Sequence, residues 1–593
     1  MKLLTIKDIH MADVGPVAEK PYVKDTNQPA TAESEHHHDH SPSRDLIYEN
    51  EDEEPELHAR TYIALSAMFL LNFIQAFALT GPPTVLSYIG EDLNDPLSQT
   101  WIPSVFSLVQ AVLCPLIASA SDTFQARKTL LVVLTTISFV GAAIAPGATS
   151  IARVIAAQFL MGFGFASTAL AYSVPSEILP RRWRPMAQAS MNIAAVLGAT
   201  SGPLAIGGLT KSNPHTGWRI FYWIMMAIWG LTAMGIFFGY RPPKRHTRLD
   251  HLQFMQKLKR LDLPGFGLLT AGLTLLLTGI NLGGGLFIWK SVPVLTTLVI
   301  GIILLVVFAV HEWRFTNTGI LDHELFQGGK HRGRTFAICV VLMFLEGIMV
   351  FSFFIFYPVF ATRILPYWLA CGVGTIAFGY WSTRARTIKL PLLVGFTIFT
   401  AGIVGLATIG PGQSLSATVF GGLAGLGVGA PLILILAGVQ LSTPHHLIAT
   451  ATAVTTSARS VSGTAFTAIY AAALNDRLTR KLPMYIAAAA LRAGLPLASV
   501  PAFVKALIAK ETAALPNISG VTPAIIQAGV GGLKQAFADS IRIVYIIAAP
   551  FGLLACIGCL FLGDLRTTMS YRVDAPVEKL EAKHQRESTP TTV

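Results

Sequence analysis

Glu346 and Arg459 are ionisable side chains set deep within long apolar runs. A charge at the middle of a bilayer-spanning helix costs about 2.5–3.5 kcal/mol on insertion scales, so such residues mark functional sites by default. A carboxyl reached from each side of a membrane in turn would take up and release a proton, which is what proton-coupled antiport requires. A fixed pair between the two would instead abolish that titration. Asn72 and Gln75 in the first apolar run, with Gln188 and Asn192 in the fifth, add polar atoms at helical spacing. They could orient an oxygen-rich substrate or bridge helices to one another, the latter worth about 0.6 kcal/mol per bond in membrane proteins. Phe351, Phe353, Phe354 and Tyr357 suit an apolar ligand as well as core packing. The run Glu35-His36-His37-His38-Asp39-His40 brings metal-ligand types together. Structural sites hold their ligands on a rigid frame, so this run reads as a solvated low-complexity segment and no metal is expected. The chain has no GxxxxGK[ST], and no HExxH or GxSxG within a span, so neither ATP hydrolysis nor an enzyme is expected, and no cofactor.

The elements that must position these residues are fourteen apolar runs between residues 62 and 562. A helix needs roughly 20 apolar residues to cross the hydrocarbon core, and each span must satisfy its own backbone. Composition agrees, with 52% hydrophobic residues, 13% charged and a mean hydropathy of +0.55. This predicts an all-α integral membrane protein embedded in a lipid bilayer. The net charge of +11 speaks of topology rather than nucleic acid, because Lys and Arg gather in alternate loops. Nineteen lie in one set of short loops, from Arg127 and Lys128 to Arg384, Arg386 and Lys389, against five in the other: Arg153, Lys211, Arg219, Lys290 and Arg363. The richer set faces the cytosol, which puts both termini there. All five cysteines fall in apolar runs, which argues against a disulfide framework.

The expected organisation is a disordered cytosolic tail over 1–60, a six-helix bundle over 61–240, a loop over 241–263 and two additional spans over 264–311. A second loop follows over 312–334, then a six-helix bundle over 335–563 and a charged, disordered tail over 564–593. No signal peptide is visible. Within the last bundle, residues 475–540 form a long extracellular loop carrying Asn517-Ile518-Ser519, a glycosylation sequon or a chance triplet. The halves also echo each other locally. Residues 118–128 and 379–386 each place a small residue, a serine and then cations at a cytosolic span end, which suggests a transporter built from repeats.

These residues resemble the major facilitator superfamily, in its 14-span drug:proton antiporter branch. The family's GxLaDxxGRR loop is matched by Asp122, Arg127 and Lys128, with Ala118 and Gln125 in place of its two glycines. The form Ser121-Asp122-Thr123-Phe124-Gln125-Ala126-Arg127-Lys128 is similar to fungal trichothecene efflux pumps, which group with siderophore–iron transporters. The family's GxxxGPxxGG is met by Gly198, Gly202, Pro203, Gly207 and Gly208, with one additional residue before the paired glycines. Gly198 and Gly202 share a helix face that a neighbour can approach closely, and Pro203 removes a backbone donor. Glu177-Ile178-Leu179-Pro180-Arg181-Arg182-Trp183-Arg184 resembles the family's ExLPxxxR turn. The resemblance implies a cytosolic gate in which Glu177, Arg181 and Arg184 latch with Asp122, a midplane cavity flanked by spans 1 and 5, and two bundles of six helices plus two central spans.

Two features depart from the family. Gln158 stands where its RxxQG pattern has arginine, and residues 361–364 alone join spans 9 and 10, whereas residues 81–100 make the equivalent first-half connection. The short link is either a tight turn or the scar of a lost segment, which would leave an inactive copy. The expected function is proton-coupled export of amphipathic organic compounds, such as toxins or drugs, by alternating access. The expected partners are a small-molecule substrate and protons, acting on a monomer in the plasma membrane. Siderophore–iron uptake on the same fold and a non-transporting membrane sensor are the alternatives.

Overall fold

The computed structural model describes residues 48–583, apart from position 97 and residues 243–252, 254, 258–260, 285–286, 317–318, 321–322, 328, 357–363, 411 and 510–514. The histidine run at 36–40, Tyr357 and the short link at 361–363 lie outside the described residues. The first-half helices are α1 (Ala59–Thr80), α2 (Trp101–Phe124), α3 (Arg127–Ile144), α4 (Ile151–Ala166), α5 (Thr168–Ile178), α6 (Arg184–Ser212) and α7 (Gly217–Gly239). Two more follow, α8 (Leu263–Gly284) and α9 (Val292–Arg314). The second half holds α10 (Gly329–Phe356), α11 (Ile364–Ala385), α12 (Lys389–Thr408), α13 (Ser414–Ser442), α14 (Ile448–Arg492), α15 (Val500–Ile508) and α16 (Pro523–Leu560). Among the described residues twelve helices are long and apolar enough to cross a bilayer. Helices α11 and α14 are less apolar, the one carrying Tyr, Trp and Gly and the other opening on alternating Ala and Thr.

Helix pairing repeats between the halves. In the first, α1 packs on α6 and α7, α4 on α2 and α3, and α3 and α6 each on α7. In the second, α10 packs on α14 and α16, α13 on α11 and α12, and α12 and α14 each on α16. Each first-half helix thus has a counterpart, with α4 and α5 together matching α13. The halves meet through α2 on α14 and its mirror, α6 on α11, as expected of an internal two-fold repeat. The turns after the counterparts α2 and α11 even share a left-handed residue, Gln125 at φ 54° and Arg386 at φ 50°. Helices α8 and α9 form a hairpin outside this pairing, with α8 packed on α2 and α14.

Three segments differ from expectation. The single fourth span is two helices, interrupted at Ser167, whose hydroxyl donates to Gly164 O at 2.7 Å. Most of the loop expected over 475–540 is helical, because α14 continues to Arg492 and α16 begins at Pro523. The Ala-rich end of α14 is a strong helix former, and its Ile486 and Ala490 pack with Phe503, Leu507 and Ile525 in a separate apolar cluster. Finally, residues 48–58 and 564–583, expected to be disordered, pair as isolated antiparallel bridges, Tyr48 with Val573 and Pro55 with Ala582.

Candidate functional site

Glu346 on α10 is fully buried, and its Oε2 accepts from Arg459 Nε on α14 at 2.8 Å. Close approach of the two helices depends on Gly347, where a Cβ would collide with the Arg459 backbone and the Ser462 hydroxyl. Arg459 Nη2 also lies 3.1 Å from Met343 Sδ, and its side chain keeps 20% of its surface exposed. Glu346 Oε1 has no hydrogen-bond partner among the described residues. The pair is therefore intact in this state, with one carboxylate oxygen uncommitted.

A second charged group closes the face that carries the α2–α3, α5–α6 and α13–α14 connections together with both described chain ends, here the tail face. Asp122 and Glu177 both engage Arg127, whose Nη2 donates to Asp122 Oδ1 at 2.8 Å. The other Asp122 oxygen accepts from Thr450 N and Oγ1, each at 2.9 Å. Helix α14 has no side-chain cap of its own, so this carboxylate from the first half caps a helix of the second. Arg181 and Arg184 do not reach Asp122. Both bind Asp574 in the C-terminal segment, each with a 2.6 Å contact, and Arg184 also donates to Ser176 O at 3.0 Å and to Gln440 O. Lys128 stands apart, with Nζ 5.2 Å from the Phe237 ring centre.

The polar residues expected at a cavity are buried and bridge helices. Gln75 Nε2 donates to Gly164 O at 2.8 Å, Asn72 Nδ2 to Met191 Sδ on α6 at 3.4 Å as well as to Met68 O within α1 at 2.9 Å, and Asn192 Nδ2 to Thr375 Oγ1 across the two bundles at 2.8 Å. Gln188 Nε2 donates to Ser176 Oγ at 2.7 Å and to Gln440 Oε1 at 3.1 Å. Phe353 is buried and stacks on Tyr367 with ring centres 4.0 Å apart. Gly198 and Gly202 lie against α1, where a Cβ would strike the backbone of Phe73 and Phe77, and Pro203 follows within α6. Gly207 and Gly208 have open space around them. Asn517 is exposed at a short turn, Leu515–Asn517. Gln158, at the family's arginine position, donates to Tyr222 Oη at 2.8 Å.

Two residues that sequence reasoning passed over are central here. Gln440 is fully buried at the end of α13; its Oε1 accepts from Ser176 Oγ at 2.6 Å and its Nε2 donates to Thr452 Oγ1 at 3.2 Å. A lone amide in so apolar a run was the available signal. Asp574 had none, being one acid in a polar tail. Further along the bundle interface, Ser460 Oγ donates to Gln110 Oε1 at 2.7 Å, and Cys114 Sγ lies 3.6 Å from Thr456 Oγ1.

A repeated six-helix pairing, closed at one face by charges and holding a buried acid–base pair, is a transporter architecture, and comparison with known proteins agrees. The profile of the Major Facilitator Superfamily matches residues 68–467. The MFS-type transporter ucsD of Acremonium sp is 27% identical over 410 residues, 67% of this chain and 67% of its own length. The efflux pump FUS6 of Gibberella fujikuroi is 23% identical over 88% of this chain and 93% of its own. The trichothecene efflux pump TRI12 of Fusarium sporotrichioides is 22% identical over 85% of this chain and 86% of its own. With a match across most of both helix bundles, this chain belongs to the Major Facilitator Superfamily.

Proposed function

We propose that this protein is a proton-coupled exporter of amphipathic organic compounds, of the class of secondary-metabolite toxins and drugs, working by alternating access between its two bundles. The observation that carries the reading is Glu346: fully buried, held by Arg459 through one oxygen and free at the other. A proton on that carboxyl would release Arg459, and a change of access would return the proton to the other side. The names of the relatives, efflux pumps that include one for trichothecenes, support export and the substrate class. In this reading α11 and α14 join the twelve apolar helices to make fourteen spans, the tail face is cytosolic as the Lys and Arg distribution demands, and a monomer resides in the plasma membrane.

The driving force suffices. A potential of 100 mV supplies about 2.3 kcal/mol per proton and each pH unit about 1.4 kcal/mol more, enough for a gradient of about a hundredfold. The test is drug and toxin accumulation in pump-deficient yeast expressing the native chain or Glu346→Gln. Lower accumulation with the native chain, lost in Glu346→Gln at equal membrane abundance, is the expected result. Equal export by both chains would remove Glu346 from the mechanism.

A further inference from the structure

The C-terminal segment joins two bodies that alternating access must separate. Leaving α16 at Leu560, it first packs on the second bundle: Leu565 and the fully buried Met569 sit against Ile388 at the start of α12 and Leu441 near the end of α13. The next residue belongs to the first bundle. Ser570 O accepts from Arg182 N at 2.8 Å, Arg572 O from Arg181 N at 3.0 Å, and Ala575 N donates to Glu177 O at 3.0 Å. Side chains reinforce this attachment. Arg181 grips both oxygens of Asp574, Arg184 binds the same carboxylate, and Arg182 Nη1 donates to Tyr571 Oη at 2.6 Å. Further on, Glu578 Oε1 accepts from His58 N at 2.9 Å and from Thr61 Oγ1 at 2.5 Å. Helix α1 has no side-chain cap and no acid in its first turn, so this carboxylate supplies what its N-terminus lacks.

We propose that residues 564–578 are a strap that holds the tail face shut and must leave the first bundle each time that face opens. Adjacent residues, Met569 and Ser570, are fixed to opposite bundles, so the chain has no slack with which to follow their separation. The attachment to the first bundle is the one that water can replace. It is built from hydrogen bonds and ion pairs, closed over Asp574 and Arg184 in this state but reached by water once the face parts, whereas Met569 is packed in an apolar pocket. Release would therefore uncover Arg181, Arg182 and Arg184 while the strap stayed on the second bundle, making strap occupancy a brake on the opening of this face.

The strap rests on the alternating-access reading, and its test requires no substrate. In a chain whose native cysteines are replaced, Thr129→Cys at the start of α3 and Ala385→Cys at the end of α11 carry spin labels, and their separation is measured by pulsed electron resonance in lipid nanodiscs. Asp574→Asn, and separately a chain ending at Gly563, are each expected to raise the long-distance population at least threefold. The exchange Arg181→Asp with Asp574→Arg is expected to bring it back toward the native value. An unchanged distribution in both the Asn variant and the shortened chain would overturn the strap. If the distances shift but no compound is exported, the strap stands and the export reading falls.

Discussion

Glu346 and Arg459 are coupled through a single charged hydrogen bond, which makes their stabilities non-additive. Removing one partner of a buried pair leaves the other uncompensated and costs about 3–5 kcal/mol, whereas removing both can be nearly neutral. Glu346→Gln is expected near the lower end of that range, because Arg459 keeps some solvent contact. The double variant Glu346→Gln/Arg459→Met should be more stable than Glu346→Gln alone, with a coupling of about 1–3 kcal/mol in thermal unfolding of the purified protein. Simple additivity would show that the 2.8 Å contact carries no energy. Asp574 obeys a different rule. Its burial favours the neutral acid, but Arg184 and Arg181 outweigh that and hold its carboxyl below the usual range. Its stabilising contribution is therefore complete above the unfolded-state value of about 3.9 and is lost only as pH falls through the lower folded-state value. The charged and titratable groups that face it are Arg181, Arg184, Arg572 and His445. Distances between the spin-labelled bundles should be the same at pH 8 and pH 5.5, and a change between them would show that a group other than Asp574 sets the closure. Both acids matter, but they were not equally legible in the sequence. A charge in an apolar run announces itself, while an acid in a polar tail has no periodic context, so only Glu346 could be singled out.

At the scale of elements, run length was enough to locate the long helices, because backbone satisfaction in lipid leaves a helix as the only outcome. It could not show where helices continue past an apolar run. The Ala-rich stretch after residue 474 has helix propensity in either medium, which is why α14 and α16 overrun the loop expected between them. Turn chemistry was legible only as a departure: Gln125 replaces a family glycine, and the structure shows that the position still takes the left-handed conformation, at φ 54°. A side chain there costs roughly 1–2 kcal/mol, which glycine avoids. Its greater freedom in the unfolded chain returns part of that gain. Gln125→Gly is thus expected to raise unfolding stability by roughly 0.5–1 kcal/mol in the same assay, while a β-branched Gln125→Val should lower it. Equal stabilities for the three chains would mean that the turn is relaxed in solution.

For the whole molecule the decisive feature is that the two bundles are zipped along α2–α14, α6–α11 and α5–α13, through Asp122 with Thr450, Asn192 with Thr375, Gln440 with Ser176 and Gln110 with Ser460. All of these bonds run from one bundle to the other, so none contributes to the stability of a bundle by itself, and those at the tail face must break if that face opens. Cys114 offers a direct handle on that motion. Its sulfur lies 3.6 Å from Thr456 Oγ1, so Thr456→Cys puts a second thiol within reach of a disulfide with little backbone movement. Oxidation should join α2 to α14 and abolish export. Reduction should restore it. A cross-linked chain that still exported would require substrate to pass without separation of these helices, and the two-bundle mechanism would then have to give way to one in which movement is confined within a bundle.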